Sequence, residues 1–225
     1  MLFGYEWDLA SNWTFAVSII PILLTGMIVT LEATALGYLI ALALGLVLYL
    51  LRKVPLRLIS WPAAFFIEFV RDTPLLVQLY FLYFVLPDYG VVLPAFLTGA
   101  VALGIQYSGY TSEVYRAGID GVPRGQWEAS IALNLSPGRM FRDIILPQAV
   151  PRIVPALGNY VISMLKDTPI LSAVTIVEML SAAKIIGDRT FRYMIPLTMV
   201  GLLFLILTLV FSFGVRRIER KMPNR

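Results

Sequence analysis

Long apolar runs, separated by clusters of Lys and Arg, constrain this 225-residue chain more than any other feature. Crossing ~30 Å of hydrocarbon takes about 20 predominantly apolar residues. Five stretches meet that need, at about 19–51, 58–86, 91–113, 149–177 and 193–215. Lipid offers no hydrogen-bond partners to the backbone, so each stretch is expected to be a helix. Their Leu- and Ala-rich composition, without strand alternation, agrees. Hydrophobic residues make up 59% of the chain, against about 45–50% in a soluble domain. The expectation is an all-α integral membrane protein forming one domain over residues 1–225. There is no Cys and no His. That excludes disulfides, zinc sites built from those residues, and Ser-His or Cys-His catalytic pairs. The first ten residues hold no Lys or Arg ahead of the apolar run. They lack the n-region of a cleaved signal peptide, so the first span is expected to stay in the protein.

The basic residues set an orientation. Arg52, Lys53 and Arg57 follow the first span, and Arg116, Arg124, Arg139, Arg142 and Arg152 follow the third. Arg216, Arg217, Arg220, Lys221 and Arg225 follow the fifth. Between the fourth and fifth lie only Lys184, Arg189 and Arg192. Positive residues stay inside, so five spans put the N-terminus outside and the C-terminus in the cytoplasm. The net charge of +4 therefore belongs to topology, and no nucleic-acid partner is expected.

The one long polar stretch is 116–147. Arg124 to Leu133 predicts a short helix. Asn134 follows, where a left-handed C-terminal cap is wanted and Asn is the best substitute for Gly. Ser136 and Pro137 then read as an N-cap and a first helical residue, and a second helix is expected to end near Ile145, before Pro147. A compact helix pair of this kind suits docking to a soluble partner; the plainer reading is a solvated helix decorated by Glu128. No G-x-x-x-x-G-K-[ST] phosphate loop is present. If ATP drives this protein, ATP and Mg are held by another subunit.

Two apolar spans carry charge. Glu68, Arg71 and Asp72 share a helix face at spacings of three and four, and Pro74 follows where it can kink the span. Lys166 and Asp167 are neighbours, so they point to different sides of a helix, and Pro169 follows them. A charge at the bilayer centre costs about 2.5–3.5 kcal/mol on insertion scales. Each of these residues therefore needs a partner or water. A polar face on a bent helix suits a solute passage, and an internal Glu68–Arg71 pair that only fixes packing is the structural alternative.

Three motifs carry a resemblance. EASIALNLSPGRMFRDIILP, from Glu128 to Pro147, resembles the EAA loop of ATP-binding-cassette importer permeases: E-A-A, three residues, G, nine residues, I-x-L-P. Glu128, Ala129, Ile144, Leu146 and Pro147 match; Ser130 stands for the second Ala and Asn134 for the Gly. Arg71 and Thr73 to Leu79 resemble the F-R-G-T-P-L-L-V-Q-L signature of polar amino acid permeases, with Asp72 in place of a small residue. Met164 to Val174 resembles their L-K-D-T-S-L motif, with Pro169 in place of Ser.

The resemblance covers nearly the whole chain and implies a polar amino acid permease of the histidine/glutamine/opine type, with the type I importer fold. It implies a bacterial cytoplasmic (inner) membrane location and transport without catalysis by this chain. Implied partners are a dimer of ATPase subunits, a second permease subunit, identical or paralogous, an extracytoplasmic solute-binding protein and membrane lipid. The ATPase would meet Glu128, Ala129, Ser130, Asn134, Arg124, Arg139, Arg142 and Pro147. A substrate pathway would run past Glu68, Arg71, Asp72, Thr73, Gln78, Lys166, Asp167 and Thr168. There Glu68 and Asp167 would attract an amino group, and Arg71 would take a carboxylate or hold Glu68. A compatible solute such as ectoine fits the same composition. Two readings from other classes stand beside it: an ion-gradient-driven carrier using Glu68 and Asp167, and a carboxylate-based membrane enzyme. Residues 177–180 and 184–192 are expected to form an external amphipathic segment. Trp7, Trp13 and Trp61 fit interfacial anchoring, and Gly26, Gly37 and Gly45 fit close helix packing.

Overall fold

The computed structural model describes residues 9–222; Trp7 and Arg225 lie outside them. Every regular element among the described residues is helical. Helix α1 spans Leu9–Lys53, 45 residues with Pro21 inside. At 1.5 Å per residue it is about 68 Å long, more than the ~40–45 Å of a whole bilayer. It begins ten residues before the apolar stretch that starts near Ile19.

The second apolar stretch is not one crossing helix. It divides into α2 (Arg57–Asp72) and α3 (Leu75–Tyr80), the latter continued by a π turn and a 3-10 turn to Tyr89. The two halves meet at 107°. Pro74 forces the residue before it out of the helical region, and Thr73 is extended at ψ 140°. The result is an elbow, sharper than the kink a helix-interior Pro produces.

Helix α4 (Ala95–Asp120) is the centre of the bundle. Its buried face carries Thr98, Gln106, Ser108, Thr111 and Ser112. Its small residues let α1 approach closely. A Cβ on Gly104 would collide with Ile40, and one on Gly45 would lie 2.9 Å from the Ser108 carbonyl oxygen. Gly37 and Gly26 are similarly tight, against Leu103 and the Met179 backbone. Thr111 Oγ1 donates to the Ala41 carbonyl at 2.7 Å. Interfaces of this kind bring backbones together through small residues and hydrogen bonds. At one end Arg52 pairs with Glu113, and Lys53 pairs with Asp120 at 2.7 Å. Helices α1 and α4 therefore run parallel.

After α5 (Arg124–Ala132) comes one continuous helix: α6 (Pro137–Arg139), a π segment (Met140–Ile145) and α7 (Leu146–Asp167). The expected stop before Pro147 does not occur. Proline lacks an N–H, and its ring clashes with the carbonyl four residues back. The π segment relieves this: the Leu146 N–H reaches the Phe141 carbonyl, five residues away, and the helix passes through the proline. Helix α7 runs antiparallel to α4, with Ile153 beside Gly118 and Asp167 beside Tyr107. A 3-10 stretch (Thr168–Val174) follows, then a 49° bend into α8 (Met179–Thr190).

Helix α8 is amphipathic, as expected: one face packs into the bundle, and the other, with Lys184, Asp188 and Arg189, is exposed. Met179, Ala182, Ala183 and Ile186 are buried with Ile19 and Leu23 of α1 and Val200 of α9 (Met194–Glu219). Glu178, fully buried, caps it, accepting from the Leu180 and Ser181 N–H groups at 2.8 and 2.6 Å. Helix α9 returns antiparallel to α7, with Val215 beside Gly158. Helices α1, α4 and α9 thus end on the same side of the bundle, and so the basic clusters at 52–57, 116–152 and 216–221 share one end.

Two helices, Ser11–Lys53 and α9, are long and apolar enough to cross a membrane, and up to four crossings result if each bent pair counts as one. Helix α4 is long enough but too polar, and its polar side is buried inside the bundle, where Thr111 bonds α1 and Gln106 bonds α3.

Candidate functional site

Two sites take shape. The first is the tip formed by α5 and the turn after it. Asn134 has φ 54°. The Leu135 N–H bonds the Ser130 carbonyl at 3.1 Å, and the Asn134 N–H bonds that of Ile131 at 2.8 Å. These two bonds make a Schellman cap, so Asn134 does the work expected of the family Gly. Ser136 occupies the N-cap position with Pro137 next, but its hydroxyl makes no capping bond. Ser130 is buried, its hydroxyl returned to the Gln126 carbonyl at 2.6 Å. Trp127 packs against Phe141 at 6.5 Å between centroids. With its inner side fixed, α5 turns Arg124, Glu128 and Ala129 outward. Ile131 and Leu133 are 68% and 72% exposed beside them. Arg139, Arg142 and Pro147 are exposed on the following helix, where Arg142 lies 3.8 Å from Asp143. Glu128 has no ion-pair partner among the described residues. Arg152 donates to the Gly121 carbonyl and ties α7 to the α4–α5 corner.

The second site joins the two charged stretches. Arg71 lies 3.5 Å from Glu68, a loose pair, and 5.7 Å over the ring of Tyr110. Gly109 makes room for it: a Cβ there would stand 2.8 Å from Arg71 Cγ. Tyr110 stacks on Tyr160 at 5.4 Å, and Tyr107 meets both rings edge-on. Tyr107 Oη donates to Asp167 at 2.7 Å. A cation and an anion, from α2 and α7, are therefore linked by three tyrosines from α4 and α7. Lys166 faces away and is exposed, as is Asp72. Thr168 is buried and bonds the Leu165 carbonyl at 2.8 Å.

Gln78 and Thr73 do something else: they lock the elbow. The Gln78 amide nitrogen lies 2.6 Å from Gln106 Oε1, 2.7 Å from Thr73 Oγ1 and 2.9 Å from the Val70 carbonyl. Thr73 Oγ1 also donates to the Phe69 carbonyl at 2.7 Å. Gln78 Oε1 is buried without a partner among the described residues. The elbow borders a cavity of about 300 Å³ lined by three Phe and four aliphatic side chains with Thr73 and Gln78.

Sequence reasoning missed the tyrosine cluster, the Gln78–Gln106 bond and the capping role of Glu178. An alternation of Tyr with small residues along α4 was the only available signal for the first. Among the described residues no three His, Cys, Asp or Glu side chains gather as a metal site would need.

Long apolar helices packed through small residues make the fold an all-helical membrane-protein bundle, with a capped polar helix at one end. The chain belongs to the family of binding-protein-dependent transport system inner membrane components, whose model matches residues 41–224. It is 58% identical over 226 residues to a probable amino-acid ABC transporter permease protein, y4tG, of Sinorhizobium fredii, covering 100% of this chain and 98% of that one. It is 36% identical over 216 residues to the arginine transport system permease protein ArtQ of Bacillus subtilis, covering 95% and 99%. Its fold matches a crystal structure of an amino acid ABC transporter with histidines at a TM-score of 0.89 and 36% identity, covering 96% of this chain and all of that one. The type I permease fold, the inner-membrane location and the non-enzymatic role follow, with the ATPase on a separate subunit. An ATPase and a binding protein are partners of such a subunit. The gradient-driven and enzymatic readings are set aside.

Proposed function

We propose that this chain is the permease subunit of an importer for polar amino acids or a related zwitterion, in which α5 takes up the movement of an ATPase dimer. The observation that carries the coupling role is the rigid, capped α5 with Glu128, Ile131 and Leu133 exposed on it. Exposed apolar side chains around a charge at the tip of a projecting helix are what a partner's groove covers. ATP and Mg bind on that partner. Arg124, Arg139 and Arg142 surround the contact. The test is co-purification of the ATPase with the native chain and with Glu128→Arg. Capture by the first and loss with the second supports the proposal; equal capture overturns it.

The substrate reading rests on Arg71 and Asp167 at opposite ends of the tyrosine cluster. A zwitterion presents a carboxylate to the one and an amino group to the other, and aromatic faces attract a cation between them. The relatives named for a substrate are named for amino acids, which weighs against ectoine. In this arrangement Glu68 holds Arg71, while Gln78 and Thr73 fix the elbow that follows Arg71.

Five crossings, with the N-terminus outside, place every basic cluster at the α5 end in the cytoplasm. A second permease subunit, a copy or a paralogue, completes the pathway. Glu32 supports this: it is exposed midway along α1, beside Ile28 and Leu39, with no ion-pair partner among the described residues. A carboxylate there is costly against lipid and is sheltered by a paired subunit or by water in the passage.

A further inference from the structure

We propose that the end of α9 is a binding site for an anionic phospholipid. Phe213, Arg216, Arg217, Arg220 and Lys221 surround a cavity of about 190 Å³. Their spacing of three, four, seven and eight residues from Phe213 puts them on one side of the helix. None of the four cations has an ion-pair partner among the described residues. The free carbonyls at a helix C-terminus attract cations to this place, yet four on one side leave an excess of positive charge around an open cavity.

The same side continues toward the N-terminus as an apolar stripe. Leu202, Leu205, Ile206, Leu209, Val210 and Phe213 are each at least half exposed, between 53% and 62%. From Leu202 to Phe213 the stripe is about 16 Å long, close to half of the ~30 Å hydrocarbon core. One leaflet has that depth. A phosphate among the cations, with acyl chains along the stripe, matches both chemistries at once. A free phosphate would use only the cations, and a second permease copy would bring its own basic cluster against this one. Basic residues near a membrane surface each strengthen attraction to anionic lipid by about fivefold. The proposal uses the assigned topology only to choose the leaflet; binding in detergent does not depend on it.

The experiment is native mass spectrometry of the full chain purified in mild detergent, titrated with phosphatidylglycerol, with phosphatidylcholine and with inorganic phosphate. Two variants accompany it: one with Arg216, Arg217, Arg220 and Lys221 all changed to Gln, and one with the three arginines changed to Lys. Helical circular dichroism checks that each is folded. The expected result is a preference of about tenfold or more for phosphatidylglycerol, lost in the Gln variant and kept in the Lys variant. Equal binding of phosphatidylcholine overturns the proposal. So does undiminished phosphatidylglycerol binding by a folded Gln variant. If the Gln variant does not fold, loss of preference in the Lys variant overturns it. Displacement of the lipid by millimolar phosphate overturns it in favour of a free-anion site. Displacement by self-association of the chain overturns it in favour of a subunit interface. None of these outcomes bears on ATPase capture through Glu128.

Discussion

Tyr107 Oη donates to Asp167 Oδ2 over 2.7 Å and ties the middle of α4 to the last residue of α7. A hydrogen bond to a charged group contributes about 1.5–3 kcal/mol, enough to hold the carboxylate toward the tyrosine cluster. Tyr107→Phe and Asp167→Asn are each expected to lower uptake in reconstituted vesicles severalfold or more, with ATPase capture unchanged. The double variant is expected to be no worse than Asp167→Asn alone, since both act through one bond. Loss of ATPase capture in either single variant would assign the pair to assembly instead.

Gln78 is expected to be structural in its effect. Gln78→Leu leaves Gln106 Oε1 and the Val70 carbonyl without their donor, at a cost of about 1–3 kcal/mol for each buried group. The melting temperature in detergent should fall. With Gln78→Glu it should fall too, because an ionised carboxylate cannot donate to Gln106. An unchanged melting temperature in both would remove the elbow lock.

The α5 cap makes a graded series. Asn134→Gly keeps the left-handed residue and should leave ATPase capture and stability nearly unchanged. Asn134→Val puts a β-branched residue at φ 54°, at a cost of at least about 1–2 kcal/mol, and should weaken capture by loosening α5. Ser130→Ala removes one local bond from a buried site and should be nearly neutral. Equal capture across the whole series would mean that the ATPase does not require a rigid α5.

Two glycines should respond in opposite directions. Gly45→Ala brings a methyl within 2.9 Å of the Ser108 carbonyl oxygen and should split α1 from α4, lowering the yield of folded protein. A methyl added at Gly201 in α9 would meet nothing within 4 Å among the described residues. There Gly→Ala should stabilise the helix by about 0.5–1 kcal/mol. Thermal unfolding of both variants reads the contrast.

Much of this was legible because it is local. Apolar runs of the right length marked the helices, although not their ends or bends. Asn134 followed by Ser136 and Pro137 marked a helix stop and restart within six residues. Lys166 and Asp167, adjacent in sequence, do face different ways. What was hidden depends on residues brought together from afar. Gln78 and Gln106 are 28 positions apart, and Tyr107 and Asp167 are 60 apart. Pro74 announced a bend, but the 107° angle is set with the help of the Gln78 bond to α4. The passage of α7 through Pro147 needed a π turn, which has no composition of its own. The cap made by Glu178 was hidden because its two partners are backbone N–H groups, which no side-chain pattern reveals.

The polar face of α4 also bears on how such a chain is made. Thr98, Ser108 and Ser112 bond carbonyls of their own segment, but Gln106 and Thr111 find partners on α3 and α1 only inside the assembled bundle, so α4 is a poor candidate to leave the translocation machinery for lipid by itself. It has to wait for α1, already threaded, to offer the groove that accepts it. Biogenesis is then a cooperative event in which α1 chaperones α4. A lesion at Gly45 would surface as a chain degraded during insertion, before any transport could be measured.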